Sequence, residues 1–258
     1  MDRTLTTFER DGHKAVVTLR RPESLNAINS QMDRELLESF TEIRDNPDIW
    51  VGIVTGEGAK SFSAGHDMKE PGAPPYGARP RVPPIGGLHR DTKVWKPMIA
   101  AINGYCLGAG MEMALSCDIR ICASHAEFGL PEVRWSLLAA AGGLTRMPRN
   151  IPRAVAMEMI LTGERISAQQ AFQWGLVTHV VPLAELMPLA HALADKILNN
   201  APLAVWAAKE IAVRTQDMTI EDSLALETSF NRGLLMTEDH TEGPAAFAQK
   251  RKPSFKAR

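Results

Sequence analysis

Hydrophobic and polar positions along this chain follow two periods in alternation. Ala15-Val16-Val17-Thr18-Leu19 alternates and is β-branched, which predicts a strand ending at Arg20-Arg21-Pro22. From Asn29 the apolar residues Met32, Leu36, Leu37, Phe40 and Ile43 keep helical spacing, with Asn29 or Ser30 as N-cap and Asn46-Pro47 as the stop. Val51–Thr55 predicts a second strand, closed by Gly56-Glu57-Gly58. Six prolines between Pro71 and Pro84 rule out regular structure there, and a loop of that length is expected to act as a lid or binding loop. The pattern then resumes: a strand at Met98–Ile102, a helix at Ala109–Cys117, a strand at Ile119–Ala123 and a helix at Ala154–Leu161. Ser167-Ala168-Gln169-Gln170 reads as a capping box for a helix ending at Gly175, followed by a strand at Val177–Val181. Beyond Leu183 only helical segments follow, at Glu185–Leu198, Pro202–Gln216, Thr219–Met236 and near Pro244–Lys250. Strands alternating with helices predict an α/β class, with a core over residues 1–190 and a helical region over 191–258.

Composition narrows the picture. A chain of 258 residues with 45% hydrophobic residues can bury a sizeable core without staples. Its formal net charge of −1 removes the electrostatic reason to expect nucleic acid as a partner. Apolar runs of about five residues are too short to span a membrane, and the N-terminus lacks a secretory pattern. The three cysteines, Cys106, Cys117 and Cys122, form no CxxC pair and read as buried thiols in a reducing, cytoplasmic setting. None of the seven histidines stands in a metal-ligand spacing, so no metal is expected.

Candidate chemistry begins at Asn103-Gly104-Tyr105-Cys106-Leu107-Gly108-Ala109-Gly110-Met111-Glu112, which joins a strand to a helix through glycines. Glycine there permits positive φ and close approach, so amides at the helix start can face a developing negative charge. For the Gly-x-Gly taken alone, a plain tight strand-to-helix turn is the preferred reading. A dinucleotide fingerprint does not fit, since Met113 occupies the third glycine position, and no phosphate-cradling lysine follows. Glu112 shares a helix face with Ala109, and Glu132 lies among apolar neighbours in Gly129-Leu130-Pro131-Glu132-Val133. Singly, each reads as a solvated charge, and His66 as a satisfied local histidine. Two carboxylates in one apolar cleft would be different: their pKa values would separate into an acid and a base.

Taken together, the chain resembles the enoyl-CoA hydratase/isomerase (crotonase) superfamily over essentially its full length. Arg21-Pro22, Leu25-Asn26-Ala27-Ile28-Asn29, Ile53-Val54-Thr55-Gly56 and Phe62-Ser63-Ala64-Gly65-His66-Asp67-Met68-Lys69-Glu70 carry the likeness. So do Pro97 through Asp118, Phe128–Glu132, Gly142-Gly143 with Arg146-Met147-Pro148-Arg149, Gly175-Leu176-Val177 and the tail from Glu242 to Pro253. The resemblance implies a spiral of ββα turns with a C-terminal α-helical trimerisation part, assembled as a homotrimer or dimer of trimers. It implies an acyl-CoA partner, no separate cofactor because CoA is part of the substrate, and an oxyanion hole from the backbone N–H groups of His66 and Ala109. CoA contacts map onto Ala64, His66, Asp67, Met68, Phe247 and Lys250. The paired catalytic glutamates of the family's hydratases map onto Glu112 and Glu132, so hydration of a 2-enoyl-CoA is the leading expectation.

Within the same resemblance stand carnitinyl-CoA dehydration, isomerisation and thioester hydrolysis, the tail and Leu130-Pro131-Glu132 being especially like carnitinyl-CoA dehydratase. Two features depart from the family pattern. Val133-Arg134-Trp135-Ser136-Leu137-Leu138-Ala139 replaces a common Gly-x-x-Pro, and His66 is bulkier than the usual small residue. A non-catalytic acyl-CoA or RNA-binding relative and a dinucleotide oxidoreductase are the readings from other classes.

Overall fold

A hairpin of two antiparallel strands, β1 (Thr6–Asp11) and β2 (Lys14–Leu19), leads into helix α1 (Ser30–Asp45). The computed structural model describes residues 3–70, 84–88 and 91–258, so the proline-rich stretch expected as a loop falls almost wholly outside the described residues. Helix α1 starts where the Asn29 side chain accepts the Met32 N–H at 2.9 Å, and it stops at Asn46 as its periodicity predicts.

From there the chain repeats one step, a longer strand in a large sheet followed by a short strand in a small one. The first step is β3 (Val51–Gly56) then β4 (Ser61–Ser63). The second is β5 (Met98–Ile102), β6 (Tyr105–Leu107) and helix α2 (Ala109–Ser116). The third is β7 (Ile119–Ala123) and β8 (Glu127–Gly129), then a 3-10 turn at Pro131–Trp135 and helix α3 (Gly143–Asn150). Helix α4 (Arg153–Thr162), β9 (Ile166–Ser167), α5 (Ala168–Gln173) and β10 (His179–Val181) complete the spiral. The large sheet runs β1-β2-β3-β5-β7-β10 and the small one β4-β6-β8-β9. This is the α/β spiral of ββα turns that the resemblance implies.

Alternation along the parallel strands feeds two cores, one on each face of the large sheet. Val54, Ala100, Ile102 and Cys122 belong to the core that also takes in α1, whose Met32, Leu36, Phe40 and Ile43 are fully buried. Val51, Ile53, Ile99, Ala101 and Ile121 face helix α6 (Leu183–Leu198). The residues α6 lays down are Leu186, Ala190 and Ala194, one per turn, and the small alanines let helix and sheet approach closely. Helix α7 (Pro202–Arg214) is tied to the chain just before β5 and β7 by Lys209, whose Nζ meets Asp118 at 2.7 Å and the Lys96 carbonyl at 2.9 Å. Helices α8 (Ile220–Leu234) and α9 (Glu238–Ala248) follow. No helix among the described residues is long and apolar enough to cross a membrane.

Several elements differ from the expectation, each for a local reason. Strands β4, β6 and β8 are three residues long and show no period. Strand β1 is a polar edge on which only Thr6 is buried. Helix α3 opens at Gly143 and contains Pro148, both of which read as breakers. The strand expected at Val177–Val181 begins only at His179, and the last helix begins six residues before Pro244. The capping box forms as expected, with Ser167 and Gln170 each holding the other's backbone amide. All three cysteines are buried free thiols.

Because Ala190 is fully buried between α6 and the sheet, Ala190→Glu places an unpaired charge there. Urea unfolding of that variant is expected to show a loss of roughly 3–5 kcal/mol; a change below about 1 kcal/mol, the scale of an exposed site, contradicts this packing.

Candidate active site

Two backbone turns meet where β4 and β6 end. The first, Ala64-Gly65-His66-Asp67, is held by the segment before α1: Ala64 N–H donates to the Leu25 carbonyl at 3.0 Å, and His66 forms a parallel bridge with Ile28. In that bridge Ile28 N–H donates to Gly65 O and Asp67 N–H to Ile28 O, both at 2.8 Å. The Arg21 guanidinium reaches the Asp67 carboxylate at 2.9 Å. The Lys69 N–H, with Arg21 beside it, holds that carboxyl below its usual range. Underneath, buried Asn26 accepts the Arg21 N–H and donates to the carbonyls of Glu57 and Ser61. Asn103 donates to Gly58 and Ser61, so two amide side chains replace ladder bonds that this irregular backbone lacks.

The second turn is Gly108, at φ +53° and ψ −126°, a conformation that requires glycine. A Cβ on Gly65 would stand 3.3 Å from Ala109 N and 3.1 Å from Leu107 O, so the two turns touch. Neither the His66 nor the Ala109 N–H donates a hydrogen bond to any described residue. Ala109 opens α2, whose positive end therefore faces the same space.

Both acids close on this junction. Glu112, 2% exposed, stands one turn into α2 and accepts the Gly143 N–H at 2.9 Å. Burial pushes its carboxyl up to about 7, and the neighbouring charge of Glu132 adds to the rise. The Gly143 and Ala141 amides and the Arg146 guanidinium work the other way. Glu132, in the 3-10 turn, has its Oε1 3.0 Å from where a Gly108 Cβ would lie. Its Oε2 is buried with no hydrogen-bond partner among the described residues. Burial raises its carboxyl too. The expected pair therefore comes together in one apolar site, with Leu130 and Ala139 against Gly143 beside Glu112.

The expected CoA residues separate into two groups. Ala64, His66, Asp67 and Met68 share the first turn, His66 and Met68 being exposed. Phe247, 87% exposed, and Lys250 lie at the end of α9, and no hydrogen bond or ion pair among the described residues joins them to that turn. A cavity of about 750 Å³ bounded by Pro97, Leu115, Arg120, Arg146 and Lys209 is lined by neither glutamate. Among the described residues no cluster of three or more His, Cys, Asp or Glu side chains could hold a metal. Sequence reasoning passed over Asn26, Asn103 and the Gly143 amide, although all three lie in the segments that carried the resemblance.

The family profile described as enoyl-CoA hydratase/isomerase matches residues 9–258. The chain belongs to the enoyl-CoA hydratase/isomerase family. Within that family it is similar to the (E)-benzylidenesuccinyl-CoA hydratase of Thauera aromatica, 44% identical, covering 97% of this chain and 98% of the relative. It is 42% identical to the carnitinyl-CoA dehydratase of Escherichia coli O157:H7, covering 96% and 97%. Among solved members of the family, the enoyl-CoA hydratase from Bacillus anthracis superposes with a TM-score of 0.90 at 36% identity, covering 99% of this chain and all of that one.

Burial of Glu112 makes a stability prediction. Its carboxyl titrates at 4.5 when free and at about 7 when folded, so the unfolded chain gives up a proton that the folded chain keeps. Stability is therefore lost as pH rises through that window. Glu112→Gln removes the penalty and still accepts from Gly143. In urea unfolding it is expected to exceed the parent by roughly 3 kcal/mol at pH 8, with the gap closing toward pH 4.5. A variant no more stable than the parent at pH 8 contradicts the burial.

Proposed function

We propose that this protein is an enoyl-CoA hydratase, adding water reversibly to a 2-enoyl-CoA thioester to give the 3-hydroxyacyl-CoA. The observation that carries the reading is that two amides with no partner among the described residues share one junction with the buried Glu112 and the half-buried Glu132. Attack at C3 of an unsaturated thioester builds negative charge on its oxygen. The His66 and Ala109 amides receive that charge, and one such donor is typically worth about 3 kcal/mol. The CoA moiety lies along Ala64, His66, Asp67 and Met68, and no separate cofactor is consumed.

Water sits between the two acids. Glu112, ionised, orients it and takes a proton as the C3–O bond forms. Glu132, protonated, gives a proton to C2, and exchange between the carboxyls through water resets the pair. One O–H bond is broken, one C–O and one C–H bond are made, and the reverse is dehydration. A carboxyl near 7 suits this task, since a base is most effective when its pKa lies near the working pH.

A second reading has its own support. The 44% and 42% identical relatives act on benzylidenesuccinyl-CoA and carnitinyl-CoA by name, and the segment after Glu132 exposes Val133, Trp135, Leu137 and Leu138. Those side chains favour a bulky, substituted acyl group over a short plain one. The assembly that fits is a homotrimer or dimer of trimers, covering the exposed Ile220, Leu224, Leu235 and Met236 and bringing Phe247 and Lys250 to CoA on a neighbouring copy.

The test follows the conjugated-thioester absorbance of crotonyl-CoA, with the two larger thioesters in parallel. Loss of signal is expected, with turnover falling 10²–10⁴-fold or so in Glu112→Gln and in Glu132→Gln. No loss of signal with crotonyl-CoA or benzylidenesuccinyl-CoA, and no gain with carnitinyl-CoA, rejects the reaction. kcat/KM is expected to be bell-shaped in pH, falling on both sides, with one macroscopic pKa of the pair near 7. A profile flat from about pH 5 to 9 contradicts the acid–base roles.

A further inference from the structure

Helix α3 opens without a cap of its own. Its N-cap is Gly142, which has no side chain to accept the first amides, and the Glu112 carboxyl from α2 takes the Gly143 N–H instead. Gly142 holds φ at +107°. With that left-handed residue between them, the Ala141 and Gly143 amides both favour the ionised form of Glu112, as in a backbone nest built for an anion. The guanidinium of Arg146 lies against the same turn. A Cβ on Gly142 would collide with it, and its Nη1 stands 3.5 Å from the Ala141 carbonyl. One turn of helix fixes the approach, since the Arg146 N–H donates to the Gly142 carbonyl at 2.8 Å.

We propose that Arg146 is a positioning residue for Glu112: its guanidinium, lodged against Gly142 and the Ala141 carbonyl, holds the turn so that the 141 and 143 amides stay aimed at the carboxyl. Two glycines in succession leave the peptides of this turn free to rotate, and rotation would present a carbonyl to the acid in place of an amide. The Arg146 N–H holds the Gly142 carbonyl and the guanidinium reaches the Ala141 carbonyl, so one residue restrains both. The two side chains also sense each other's charge in matching directions. Arg146 draws the Glu112 carboxyl down and Glu112 draws the guanidinium up, against the burial of both. The other groups around the pair are accounted for. Glu132 pushes Glu112 up from the 3-10 turn. On α2 the Cys117 thiol is pushed up to about 12 by burial and carries no charge at neutral pH. Around the cavity that Arg146 lines, Asp118 pairs with Lys209 and Arg149 with Asp217. Arg120 donates to the Cys117 and Leu176 carbonyls and to Asn150, and Lys93 is exposed.

The catalytic meaning of this placement rests on the hydratase reading, so the test carries two separate readouts. The first is independent of turnover: the protein is labelled with ¹³C at glutamate Cδ, and the Glu112 signal, assigned by its absence in Glu112→Gln, is titrated by NMR. In Arg146→Gln the Glu112 midpoint is expected to rise, the ionised fraction on the acid side of the parent midpoint falling about threefold. Arg146→Lys keeps the charge and loses the planar fork, so its midpoint is expected between those of the parent and the glutamine variant. An arginine with a merely structural role would lower stability on removal and leave the titration alone. A glutamine midpoint equal to the parent's overturns the proposal, as does a lysine midpoint no different from either. Where the glutamine variant does not fold, the lysine variant decides, a midpoint above the parent's being expected and an equal one overturning the proposal. The second readout is kcat/KM on the enoyl-CoA that the parent turns over. Its acid limb is expected to move to higher pH in Arg146→Gln by the same factor, with KM little changed. Should the parent hydrate none of the thioesters, the reaction falls while the NMR titration still decides the role of Arg146.

Discussion

The closeness of two glycine turns governs this site. Gly65 and Gly108 both adopt positive φ, and the space a side chain would need at either is taken by the other turn or by a catalytic candidate. Their contact brings amides from two different sheet crossings, one after β4 and one after β6, to a common point. Everything else serves that approach. The Asn26 and Asn103 amides satisfy the carbonyls of backbone that cannot pair in a sheet, and Arg21 clamps Asp67 so that the first turn does not open. An unsatisfied buried carbonyl costs on the order of 1–3 kcal/mol, so these side chains make the irregular backbone tolerable.

Placing acids in so dry a junction gives them their character. Glu112 accepts the Gly143 N–H, with the Ala141 amide and the Arg146 guanidinium also favouring its charge, yet burial outweighs them and disfavours the charged form. Glu132 is held less deeply but with one oxygen unpartnered. Both carboxyls are thereby biased toward their neutral forms, at a cost in folding stability that the two cores flanking the large sheet absorb. Chemistry and packing are in tension at Glu112 and in agreement at Phe40.

Much of this was legible from residue order. The apolar period from Met32 to Ile43 marked α1 to within a residue, and Ser167 with Gln170 announced its capping box, because both signals are local. Strands β4, β6 and β8 were not legible: three residues carry no period, and their pairing is decided by the crossings that bring them together. Glu112 and Glu132 were ambiguous one at a time, and only a tertiary turn distinguishes a surface charge from a buried one. Asn26 and Asn103 looked like ordinary turn residues because nothing in the sequence displays which carbonyls will lack partners. His66 drew notice for its size, but its bridge to Ile28 joins segments far apart in the chain, which no local pattern displays.

The donors at the junction belong to the main chain, and this bears on how such a protein changes over generations. Substituting a side chain at position 66 or 109 leaves the N–H in place wherever the backbone geometry survives. On the proposed function, the grip on a thioester is thereby insulated from most point mutations, while the acids and the residues after Glu132 remain free to vary. Under that same reading, descent can explore new reactions on one activated carbonyl without first losing the ability to hold it.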